Sequence, residues 1–213
     1  MKRILSVLAS AVILLPAVLM LGGCGEAAGN NVETDQLPYG ATVMIDTSRD
    51  ITMSYDARFI EPELADKVYA YYHAVQTKNA EEFTPVLFPL YHDYQLNDLY
   101  EGQIDDQVLM ESSYSAVQEY FGFDFEYSMI DITGAIMSDG ISEERDRLRQ
   151  MLDDLADDKD QPAVSAHTTY FYELSVTRYV TERGSGEREE TDYVLTDEKL
   201  YAMKYDDQWC LVY

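Results

Sequence analysis

Midway along the chain the spacing of the apolar residues changes from that of a helix to that of a strand, and few folds accommodate both in this order. Before Gly122, Met110, Tyr114, Val117 and Phe121 recur every three or four residues, which is one face of a helix. Asp105 or Asp106 can cap that helix and Gly122 can end it. After it, Phe123, Phe125, Tyr127 and Met129 alternate with Asp124, Glu126 and Ser128, the period of a strand with one face buried. At Ile130 and Ile132 the apolar set moves to the other parity, so a bulge or bend is expected near residue 129.

The same two periods divide the rest of the chain. Ala41 to Asp46 and Ile51 to Tyr55 are short β-prone runs joined by a turn at Thr47-Ser48-Arg49-Asp50. Pro62 suits the first turn of a helix whose buried stripe is Leu64, Val68, Tyr71, Tyr72 and Val75, ending at Lys78-Asn79. A short second helix, Ala80 to Phe83, runs into Pro85, and Pro89 forbids a long continuation. Another helix opens at Ser142 and buries Leu148, Met151, Leu152 and Leu155, with Glu143/Arg147 and Arg149/Asp153 as i, i+4 pairs on its exposed side. Ala166 to Val176 sets Ala166, Thr168, Tyr170, Tyr172, Leu174 and Val176 on one face of a strand that runs to about Thr181. A turn at Gly184-Ser185-Gly186, a return at Asp192 to Thr196, and a hairpin of Lys199–Tyr205 with Gln208–Tyr213 complete the pattern. Helices segregated from a meandering antiparallel sheet make an α+β domain over 39–213.

That order of elements resembles the nuclear transport factor 2-like superfamily, with a cystatin-like sheet wrapped on one helix as a near neighbour. The resemblance rests on the helix-break-helix phrase Ala70-Tyr71-Tyr72-His73-Ala74-Val75-Gln76-Thr77-Lys78-Asn79-Ala80-Glu81-Glu82-Phe83 and on the closing Tyr205-Asp206-Asp207-Gln208-Trp209-Cys210-Leu211. It implies N-terminal helices packed on a curved antiparallel sheet in a cone, with a pocket between them that some members use for catalysis, others use for binding and many leave closed. The helix at 142–158 and the segment at 41–55 are additions to that pattern.

The N-terminus directs the chain out of the cytoplasm. Met1-Lys2-Arg3 is a cationic head, Ile4 to Leu21 is nearly all apolar, and small residues follow, the layout of a secretory signal. Leu21-Gly22-Gly23-Cys24 resembles the lipobox of bacterial lipoproteins, which implies cleavage after residue 23 and acylation of Cys24. The alternative is an uncleaved anchor, but the apolar run is close to the lower limit of about 17–25 residues and contains Pro16. Residues 24–38 are small and polar and read as a tether. Cleavage would reduce 15 basic residues to 13 against 40 acids, a net charge of −27. Such a charge argues against nucleic acid and against direct adhesion to anionic headgroups, leaving the lipid on Cys24 as the membrane contact.

Residues that could carry chemistry are few. His92 and Asp93, flanked by Tyr91 and Tyr94, are the one cluster suggesting a general base, although adjacent side chains tend to point apart. Tyr72, His73, Tyr91 and Tyr94 are candidate ligand contacts within a general excess of tyrosine, 18 residues against one Trp. The acidic run Asp153 to Asp160 has helical spacing and no glycine, unlike a calcium loop. No metal-type Cys/His spacing, phosphate loop or nucleophile elbow occurs, so no metal or cofactor is expected. Cys210 in Trp209-Cys210-Leu211-Val212 reads as a buried, inert thiol. The function expected is therefore a tethered binding module whose partner is an envelope protein, glycan or small molecule. An isomerase- or cyclase-type pocket enzyme and a structural accessory of the envelope are the alternatives.

Overall fold

The structure, a computed structural model, describes residues 37–184 and 193–213. The signal segment, Cys24, most of the tether and the Ser185-Gly186 turn lie outside these residues. Among the described residues no helix is long and apolar enough to cross a membrane.

A hairpin of β1 (Val43–Asp46) and β2 (Thr52–Asp56) comes first. The helix α1 (Pro62–Thr77) buries Leu64, Val68, Tyr71, Tyr72 and Val75, as their spacing predicts. It stops where Lys78 turns left-handed at φ 57° and its N–H returns to the last carbonyls. Next, α2 (Ala80–Phe83) passes into a 3-10 turn at Thr84–Val86. Pro89 then opens a separate helix, α3 (Pro89–Tyr94), which continues as a π turn over Gln95–Leu99. Asp105 caps α4 (Asp106–Phe121) by accepting from Val108 N–H at 2.9 Å, and Gly122 at φ 78° ends it. The remaining elements are β3 (Phe125–Ile136), α5 (Glu143–Asp158), α6 (Val164–His167), β4 (Thr168–Glu182), β5 (Tyr193–Tyr205) and β6 (Gln208–Val212).

The six strands form one open sheet in chain order, β1-β2-β3-β4-β5-β6. It is mixed, which corrects the expectation of an antiparallel sheet: β2 and β3 run parallel, Thr52 to Ser54 against Met129 to Asp131. The chain between them crosses over through four helices, the kind of long connection a parallel pair requires. The slip expected near residue 129 is present, since pairing with β4 passes from Tyr127 to Met129 and leaves Ser128 out. A second slip separates Ile132 from Gly134. Asp206 and Asp207, at φ 46° and 62°, make the tight turn between β5 and β6.

From β4 to β6 the sheet is covered on both faces. Tyr172, Ala202 and Leu211 lie side by side across β4, β5 and β6 and join the main core under α1. Their neighbours Phe171, Met203 and Cys210 point the other way and join Leu152 and Ala156 of α5 and Phe88 and Leu90 at the start of α3. This two-sided burial corrects the single-faced reading of β4. Tyr170 is 38% exposed, while Phe171 and Glu173 are buried because α5 covers their face. The strand also starts at Thr168, after the short turn of α6 that holds Ala166. Similarly β3 begins at Phe125, and Phe123 stacks beside Phe121 and Tyr193 instead.

A buried carboxylate fixes where the chain enters the domain. Asp56 exposes none of its surface and accepts from Gly40 N–H at 2.9 Å, Thr42 Oγ1 at 3.1 Å and Arg58 Nε at 2.9 Å. Arg58 in turn donates to the carbonyls of Leu37 and Pro38. Hydrogen bonds from Arg58 hold the Asp56 carboxyl well below the usual carboxylate range. Among the described residues, Leu37 and Pro38 are thereby tied to the domain through Arg58.

Candidate functional site

His92 and Asp93 are not brought together. His92 faces inward, with Nε2 3.0 Å from Asp106 Oδ1, and Thr84 Oγ1 donates to the other oxygen of Asp106 at 2.6 Å. Asp93 lies on the outer side of α3, paired with Lys159 and accepting from Asn97 at 2.7 Å. The hydrogen bond from Lys159 lowers its pKa, as suits an ion pair rather than a general base. His92 is 8% exposed, and its Nδ1 has no hydrogen-bond partner among the described residues. Its Asp106 partner ties α3 to α4, and its own ring is closed to solvent.

The four candidate ligand contacts also fall apart. Tyr91 and Tyr94 pair on α3 with ring centroids 6.1 Å apart. His73 stacks on Tyr69 at the outer side of α1 and meets Glu82 of α2 at 2.8 Å. Tyr72 alone points into the main core. Cys24 lies outside the described residues.

Tyr72 leads to a polar cluster that the spacing of residues did not reveal. Its hydroxyl donates to Glu198 Oε2 at 2.5 Å. Arg178 Nε lies 2.8 Å from the same oxygen but out of line for a hydrogen bond, so that contact is an ion pair. Arg178 also meets the Tyr127 hydroxyl, and the Tyr72 and Tyr127 rings pack edge to face at 5.4 Å. Burial drives the Tyr72 and Tyr127 hydroxyls far above their ordinary pKa; Tyr72 donates to Glu198, whereas the Tyr127 oxygen accepts from Arg178. The arrangement sets a carboxylate against a tyrosine, as a pocket enzyme would. Here they are in direct contact, with Tyr72 only 1% and Tyr127 only 2% exposed, and Arg178 holds Glu198 as an acceptor. This cluster ties α1 to the sheet.

Among the described residues, a run of three consecutive exposed apolar side chains lies at an edge of the sheet. Val43, Met44 and Ile45 are successive residues of β1 and are 50%, 40% and 63% exposed. Side chains alternate along a strand, so exposure of all three leaves both faces of β1 open. Its inner edge pairs with β2, and among the described residues nothing pairs with its outer edge. At the opposite end, β6 is covered: Phe88 N–H donates to Leu211 O at 2.8 Å and Gln95 to Tyr213 O at 2.8 Å. An open edge offers unpaired N–H and C=O groups to another strand, and proteins usually blunt such edges with lysine, proline or a cover. Val43–Asp46 holds no lysine or proline, and among the described residues nothing covers its outer edge. Its β propensity was legible in the sequence, but its position at the rim depends on how the sheet is ordered.

No protein-family model, no curated protein and no solved structure matches this chain.

Proposed function

We propose that the protein is a lipid-tethered interaction module on the outer face of a bacterial cell membrane, which captures an extended segment of an envelope protein along β1. The open apolar edge of β1 carries this proposal. A segment laid beside Val43–Asp46 would gain the main-chain hydrogen bonds the strand leaves unmade, and Val43, Met44 and Ile45 would offer it apolar contacts on both faces. The signal layout and the lipobox-like Leu21-Gly22-Gly23-Cys24 support the anchor at Cys24. Twelve residues lie between Cys24 and Leu37, so an extended tether of thirteen Cα–Cα steps would reach about 45 Å.

The domain itself we assign to the nuclear transport factor 2-like cones. Support comes from α1 against β2, β3 and β6, the slips that bend β3 and β4, and Trp209 buried after the Asp206-Asp207 turn. In this assignment the inner cluster of Tyr72, Tyr127, Arg178 and Glu198 fills the space that other members leave as a pocket. Binding then takes place at the rim.

A photo-crosslinking residue placed at Met44 of the full chain, in cells, tests the proposal. The expected result is an adduct with one envelope protein, absent when the probe is at Tyr120, which is 73% exposed on α4, and lost when Ile45 is changed to Pro. An adduct with a second copy of the chain, with a glycan, with lipid alone, or no adduct would overturn it.

A further inference from the structure

The helix α5 carries two arginines four residues apart, Arg145 and Arg149, and among the described residues Asp146 is the one carboxylate paired with either. Arg145 is 4% exposed. Its guanidinium donates to the carbonyls of Ile136 at 3.4 Å, Met137, and Gly140 at 2.7 Å. Its one carboxylate contact is Asp146 at 3.3 Å, whose side chain is 62% exposed. Arg149 was expected to pair with Asp153, but Asp153 instead accepts the Ser165 N–H at 2.8 Å. Among the described residues no ion pair to Arg149 forms, although the chain has 40 acids. By contrast Arg147, on another side of the helix, has Glu143 at 3.4 Å.

Both arginines line a shallow hollow of about 50 Å³, open to solvent, with Ser138, Thr168, Thr169 and Phe171. The Thr168 hydroxyl is spent on Val164 O at 2.8 Å, and Ser138 Oγ accepts from Phe171 N–H at 2.8 Å. Thr169 is exposed and leaves its hydroxyl as a further donor. Like charges at i, i+4 repel, and guanidinium groups bind oxyanions through paired N–H donors. A dianion beside Arg145 and Arg149 would relieve the repulsion and take the Arg149 guanidinium donors, which no carboxylate among the described residues occupies. We infer that this hollow is a binding site for a phosphate-type oxyanion, either a free phosphomonoester or the headgroup of a phosphomonoester lipid.

The full-length chain in detergent solution, titrated with inorganic phosphate and glycerol phosphate and followed by calorimetry, tests the site. Vesicles containing phosphatidic acid, against phosphatidylcholine alone, test the lipid source. Arg149→Gln should weaken binding about tenfold or more, since a hydrogen bond to a charged group is lost. Thr169→Val should weaken it less. Arg147→Gln removes the same charge outside the hollow and should leave affinity unchanged. A response to the soluble phosphates assigns a free phosphomonoester, and a response to phosphatidic acid vesicles alone assigns the headgroup. Equal weakening by Arg149→Gln and Arg147→Gln, or no saturable binding from either source, would overturn the inference.

Discussion

Replacing Glu198 tests whether the inner cluster is a structural tie or a working site. Two groups depend on its carboxylate, the Tyr72 hydroxyl at 2.5 Å and the Arg178 guanidinium at 2.8 Å. Removing one partner of a buried ion pair costs about 3–5 kcal/mol, because the other charge stays buried without compensation. The Arg178 and Glu198 side chains are 16% and 19% exposed, so solvent reaches the pair and the lower end applies. Glu198→Ala should therefore destabilise the domain by about 3 kcal/mol. Glu198→Gln keeps an acceptor for Tyr72 and loses the charge, so its effect should be smaller, about 1–2 kcal/mol. Replacing both members of the pair, Arg178→Met with Glu198→Leu, should recover much of the loss, since an apolar pair of similar volume is often neutral. Urea unfolding of the full-length chain in detergent measures all three. If Glu198→Ala changed stability by less than about 1 kcal/mol, the structural account would be refuted and the carboxylate would be free for another use.

Three further outcomes follow from other parts of the fold. Asp56 has a lowered pKa, so its contribution to stability is present above its unfolded value of 3.8 and is lost as pH falls through the lower folded value. Asp56→Asn should flatten the acid limb of the stability curve and speed hydrogen exchange at Gly40 and across β1; unchanged exchange there would exclude the clasp. Leu152→Ala, on the buried side of α5, should cost about 3 kcal/mol and lower Tm by about 6–12 °C, and a calorimetric shift below a few degrees would mean that α5 is not part of the core. Burial pushes the Cys210 thiol up to about 12, so maleimide labelling should be slow in the folded chain and fast in urea. Equal rates would contradict its burial.

The features legible in the sequence are those set by neighbours along the chain. The α1 stripe, the Asp105 cap, the Gly122 stop and the slip at Ser128 each follow from a few adjacent residues. Features set by crossing distances were not legible. The direction of β2 against β3 depends on the path of four intervening helices, which no local period records. Two-sided burial of β4 was hidden because Phe171 and Glu173 sit at positions of opposite parity to Tyr172 and Leu174 and gain their cover only from α5. His92 finds Asp106, fourteen residues away across the π turn, rather than the adjacent Asp93. Arg178 and Glu198 meet across β4 and β5 because Val176 pairs with Glu198, a register that neither strand shows alone.

Charge narrows the kind of segment that would suit β1. The strand ends at Asp46, and Asp50 and Asp66 lie close by, with Arg49 already paired to Asp46 at 3.3 Å and to Asp66. The net charge of −25 adds a wider negative field. A segment docking there should therefore be apolar at its centre and basic at its flanks, drawn in by charge and held by strand pairing. Exposed charges are screened over about 8 Å at physiological ionic strength, whereas main-chain hydrogen bonds and apolar contacts are little affected by salt. Raising salt should then slow formation of the Met44 crosslink in isolated membranes while leaving its final yield nearly unchanged. A yield that fell in step with the rate would mean that charge, and not the open edge of β1, supplies the affinity.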